Sequence, residues 1–133
     1  MRRFCILALF AMVFFAACGL SEAQTSALRQ EQVVDGITIG LEAADNALLN
    51  TNQEFIVTLT DADGTPIEDA SVYLDLTMPA MPMGVNRPVA IHTGEGRYRT
   101  NTAYTMSGDW EIAVIAEVAG VEHRAVFQRA VTE

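Results

Sequence analysis

From Asp35 to the last residues the chain alternates apolar and polar positions with a period of two, a pattern that suits strands and little else. Ile37, Ile39 and Leu41 alternate with smaller or polar neighbours, as do Phe55, Val57 and Leu59, and then Val72, Leu74 and Leu76. Between the last two runs lies "DADGTPIEDA", where Gly64 and Pro66 are placed to reverse the chain. A short strand "PVAIHT" is closed by "GEG". In "RYRTNTAY", Arg97, Arg99 and Asn101 fall on one face and Tyr98, Thr100 and Thr102 on the other. "DWEIAVIAEV" lines up Trp110, Ile112, Val114, Ala116 and Val118. Ala119-Gly120 then supports a two-residue hairpin that sets Val118 opposite Val121, Ile112 opposite Phe127 and Val114 opposite Ala125. About seven short strands separated by turn signals, with no helical period, predict an all-β fold: an antiparallel immunoglobulin-like β-sandwich.

The start of the chain obeys a different grammar. Residues 1–17, "MRRFCILALFAMVFFAA", place two arginines before a purely apolar run, which is the layout of a signal peptide. The run falls a few residues short of a comfortable bilayer span. It ends in "FAAC" before Gly19, which fits a lipoprotein signal in which Cys18 carries the lipid and becomes the mature N-terminus. Cleavage after "SEA", residues 21–23, is the alternative for ordinary secretion, and an uncleaved anchor is the third. All three readings place the domain outside the cytoplasm, lipid-anchored at the cell membrane on its periplasmic or outer surface in the lipoprotein case. Residues 18–35 are polar, rich in Ser, Gln and Glu, and read as a tether, leaving 36–133 as the domain.

Cysteine and charge narrow the function. Cys5 and Cys18 both belong to the signal, so the domain has no disulfide, no thiolate nucleophile and no thiolate metal site. The full chain carries −9; losing Arg2 and Arg3 with the signal leaves six Arg against seventeen Asp plus Glu, or −11. There is no lysine. Such a surface repels phosphate backbones and excludes nucleic acid as a partner.

Enzyme signatures are missing, and the expectation is a non-enzyme. His92 and His123 are the only histidines, and Ser71 and Ser107 sit in no nucleophile-elbow context. "DADGTPIED" has the Asp-x-Asp-Gly start of a calcium loop but lacks the later ligands, so its acids read as a solvated turn.

What stands out is "TMPAMPMG", residues 77–84, with Met78, Met81 and Met83 among prolines. Thioethers are soft ligands, and without thiolates Met and His are what remain for Cu(I). Pro79 and Pro82 favour an extended course, so convergence of three sulfurs requires a bend, which Gly84 can supply. Met106, ahead of "SGDW", is the fourth candidate ligand. His92 joins them provided that the strand after Pro88 runs back past the loop. Two other readings stand beside this one. The methionines can plug the open end of the sandwich against Trp110, or present a Met-rich surface to a protein partner.

Taken together, "LTMPAMPMG", "GEGRYRT" and "YTMSGDWEIAVIAEV" resemble the YtkA-like domain family, small extracytoplasmic sandwiches related to FixH-type proteins. The motifs occur here, in family order, at Met78–Gly84, Gly94–Tyr98 and Met106–Trp110, and the resemblance covers about residues 36–131. It implies copper handling or assembly of copper-containing oxidases by a lipid-anchored or membrane-anchored module. Members with an evident metal site carry Met-x-His runs, whereas Gly84-Val85-Asn86 follows the methionines here. The expectation is a lipid-anchored binding module taking Cu(I) weakly through Met78, Met81, Met83 and Met106, with His92. The alternative is a metal-free module whose Met-Pro loop docks a membrane protein.

Overall fold

The computed structural model describes residues 27–81 and 84–133. The signal segment 1–17, Cys18 and Met83 lie outside the described residues. Eight strands follow one another: β1 (Ala27–Val34), β2 (Ile37–Ala44), β3 (Gln53–Thr60), β4 (Ser71–Thr77), β5 (Val89–Gly94), β6 (Arg97–Thr102), β7 (Gly108–Val118) and β8 (Val121–Val131). All strand pairings are antiparallel, in the spatial order β1-β2-β3-β6-β5-β4-β7-β8.

The sheet folds over on itself into two facing layers. Its crease lies between β4 and β5, which pair only at Val72↔Ala90 and Tyr73↔Val89. Beyond those pairs the contact continues through single bonds, Leu74 N to Pro88 O and Leu76 N to Asn86 O, both 3.0 Å. The free edges of β1 and β8 come close again, where the Gln32 side chain donates to Val126 O at 2.5 Å. The outcome is a sandwich nearly closed into a barrel.

Alternation accounts for the core. Ile39 and Leu41 of β2, Phe55, Val57 and Leu59 of β3, and Tyr98 of β6 face Val72, Leu74 and Leu76 of β4 and Trp110, Ile112 and Val114 of β7. Each large apolar side chain taken out of water contributes roughly 1.5–3 kcal/mol, enough for a core without cross-links. The β7–β8 hairpin has the register that its alternation predicts, including Val118↔Val121, Ile112↔Phe127 and Val114↔Ala125. At its tip Ala119 (φ 50°) and Gly120 (φ 78°) form the two-residue turn.

One expectation needs correcting. The polar residues before Asp35 are not all tether: from Ala27 they form β1, paired with β2 from Ala27↔Ala44 to Val34↔Ile37. The eighth strand is therefore part of the sandwich. Its side chains are mostly exposed, with Arg29 bonded to Glu31 and Glu42, so no apolar row marks it in the sequence.

Candidate functional site

Strand directions sort every connection to one of two ends. One end gathers the start of β1 and the connections 45–52, 78–88 and 103–107. These segments are tied to one another. Asn50 N donates to Tyr104 O (2.8 Å), Gln53 donates to Leu48 O (2.7 Å), and the Thr102 hydroxyl bonds the Asn86 side chain (3.1 Å). The Arg129 guanidinium, buried on β8, donates to the carbonyls of Ala44 and Asp45.

Three of the five candidate metal ligands arrive at this end, in different roles. Met78 continues the inward row of Val72, Leu74 and Leu76 and is only 8% exposed. Its Cε lies 2.6 Å from where a β-carbon on Gly108 would stand, so its side chain fills the space that glycine leaves. The chain then turns back at once, with Met81 N donating to Met78 O at 3.1 Å. Pro79, with its fixed φ, begins this turn rather than an extended run. Met81 is thereby turned outward, 47% exposed. Met106 is 36% exposed, and its carbonyl accepts from Trp110 Nε1 at 3.0 Å.

A row of buried aromatic rings lies in the core at this end. Phe55 meets Tyr104 edge-on at 5.9 Å between centroids, and Tyr104 meets Trp110 in the same way at 5.4 Å. Burial raises the pKa of Tyr104, against a smaller opposing pull from Arg129. A shallow hollow of about 480 Å³ opens beside the row, lined by Asn52, Gly84, Val85, Asn86, Thr102, Ala103 and Thr105.

His92 does not join the methionines. The pairing Val72↔Ala90 sets β5 antiparallel to β4, so His92 falls level with Ala70 while Met78 lies eight residues further along. At about 3.3 Å per residue that separation is about 26 Å along the strand. The strand after Pro88 runs away from the loop, not back past it. His92 instead contacts the Glu68 carboxylate and lies tilted by 45° against the Tyr98 ring, with centroids 5.0 Å apart. The five-residue ligand set therefore does not fit a single ion.

Other candidates resolve into local structure. Asp61 Oδ1 accepts from the backbone of Asp63 and Thr65, both 2.9 Å, so that carboxylate organises a turn. Buried His123 of β8 comes within 3.3 Å of Asp35 in the β1–β2 turn, but its Nδ1 has no hydrogen-bond partner among the described residues. Among the described residues no cluster of three or more His, Cys, Asp and Glu is arranged to hold a metal ion.

The model of the YtkA-like family matches residues 31–115, from within β1 to within β7, and takes in the three connections of the Met-Pro end. The chain belongs to the YtkA-like family. No curated protein and no solved structure matches it. The YtkA-like match includes the 78–88 and 103–107 connections together with Gly108 and Trp110, the residues that build the end just described.

Proposed function

We propose that this YtkA-like domain is an extracytoplasmic binding module, held at a membrane surface by a lipid on Cys18, and not an enzyme. It acts through the Met-Pro end, where Met81 and Met106 take Cu(I) weakly and Met83 is the third thioether. One observation carries the reading: the buried Met78 side chain packs against Gly108 and so holds together the two segments that carry the exposed Met81 and Met106. Thioethers suit Cu(I) where thiolates are lacking, and two or three of them without histidine imply modest affinity. His92 has no part in this ligand set.

Titration of Cu(I) against a competing chelator tests the proposal. The paired change Met81→Leu with Met106→Leu is expected to weaken Cu(I) binding at least tenfold, while His92→Ala leaves it unchanged. Equal affinity of the paired variant and the parent would sink the copper assignment. The second reading, a metal-free docking surface for a membrane protein, is favoured by Val85, 82% exposed beside the same loop. Under that reading Val85→Asp weakens partner capture and the copper titration shows no specific binding.

A further inference from the structure

The two ends of the sandwich differ in charge as sharply as in shape. The turns remote from the methionines, 35–36, 61–70, 95–96 and 119–120, carry Asp35, Asp61, Asp63, Glu68, Asp69 and Glu95. Among the described residues of 45–52, 78–88 and 103–107, the only charges are Asp45 and Arg87, and Arg87 is paired with Asp75 at 3.1 Å. Within the connections, the exposed large apolar side chains are Leu48, Met81, Val85 and Met106, all at the methionine end, while the acidic turns carry none and are flanked by exposed Val33 and Val121 on the strands. Ala27, the first described residue, pairs with Ala44 beside Arg129, so the chain enters the sandwich at this end too.

We propose that the Met-Pro end faces the lipid bilayer, with Leu48, Met81, Val85 and Met106 resting in the headgroup boundary and the acidic turns pointing away. The inference rests on the lipid-anchored reading above. Nine residue steps separate Cys18 from Ala27, and at most 3.3–3.6 Å per residue the entry end stays within about 30 Å of the lipid. An anionic membrane surface repels the six acids and leaves the nearly uncharged end as the one that can approach. Four partly exposed apolar side chains bind a bilayer feebly by themselves. Attached to it by a lipid, they work at high effective concentration, and feeble contact suffices to set orientation. Asp45, Asp109 and Glu133 flank the end and keep the contact at headgroup level.

The test uses the mature chain beginning at Cys18, lipidated in the cell that expresses it and reconstituted in protein-free vesicles of phosphatidylcholine and phosphatidylglycerol containing nitroxide-labelled lipid. Cys18 is blocked by its lipid, so a single cysteine placed by Val85→Cys or Asp63→Cys takes a fluorophore specifically. Both positions are exposed and outside the core. The label at position 85 is expected to be quenched several-fold more than the label at position 63. Equal or reversed quenching in chain that floats with the vesicles overturns the orientation alone, and leaves the end to a protein partner. Chain that stays behind when the vesicles float overturns the anchored reading and the orientation with it.

Discussion

The terminal methyl carbon of Met78 occupies the space that a side chain on Gly108 would need, 2.6 Å from the would-be β-carbon. Gly108 also holds φ at +134°, a conformation that L side chains rarely adopt. Gly108→Ala therefore combines a clash with backbone strain, and a loss of about 2–4 kcal/mol is expected in chemical denaturation. Adding Met78→Ala removes the clash but not the strain. The double variant should lose less than the sum of the two single losses, and strict additivity would refute the contact.

The methionines should separate by role. Met78→Ala opens a gap in the core and is expected to cost about 2–4 kcal/mol, whereas Met81→Leu, at an outward position, should stay within about 0.5 kcal/mol of the parent. Urea midpoints of the two variants decide it. Comparable losses would mean that Met81 is also a packing residue.

Tyr104 has a buried hydroxyl with no protein hydrogen-bond partner among the described residues. Removing an unpaired polar atom is neutral or stabilising, so Tyr104→Phe should match or exceed the parent at pH 7. Burial also raises the pKa of this phenol. The unfolded chain ionises its tyrosines near pH 10, so stability is intact below that pH and falls as pH climbs towards the higher folded value. Tyr98, raised mainly by burial as well, adds to the same loss. Denaturation midpoints above pH 10 should fall less steeply in Tyr104→Phe, and an unchanged slope would assign the effect elsewhere.

Arg129 is a buried cation committed to the carbonyls of Ala44, where β2 ends, and Asp45, where the chain bends away. Arg129→Met keeps much of the bulk and removes both bonds, and should cost about 2–4 kcal/mol. Hydrogen exchange offers a sharper readout: amides of 46–50 should lose protection well before those of the β7–β8 hairpin. Uniform loss across the domain would argue against a local clasp.

Much of this architecture is legible in the residues. The β7–β8 register follows from alternation on both sides of Ala119-Gly120, and Trp110 enters the core at the end that its place in β7 requires. β1 escapes the same reading because Gln30 and Gln32 stand where an alternating strand would carry apolar residues and most of its side chains stay exposed, which erases the period. The signal that could have found it is Asp35-Gly36 (φ 52° and 82°) between Val33-Val34 and Ile37, a strong hairpin sequence. The position of His92 was illegible for another reason. Periodicity says which face a residue takes, but not which neighbour its strand pairs with, and the crease between β4 and β5 carries that information. The Met-Pro stretch misled in part because prolines suggest extension, whereas Pro79 initiates a turn.

Strand β1 also gives the domain a mechanical character. A force applied through Ala27 acts on a strand whose backbone is paired with β2 and whose outer edge lies beside β8, where the Gln32 side chain donates to Val126 O. If the opposing hold lies at the methionine end, the pull peels β1 from Ala27↔Ala44 onward, one pair after another, at low force. If the hold lies at the acidic turns, the same pull shears every pair from Ala27↔Ala44 to Val34↔Ile37 together and meets far greater resistance. The domain would then yield readily to one direction of load and stand firm against the other.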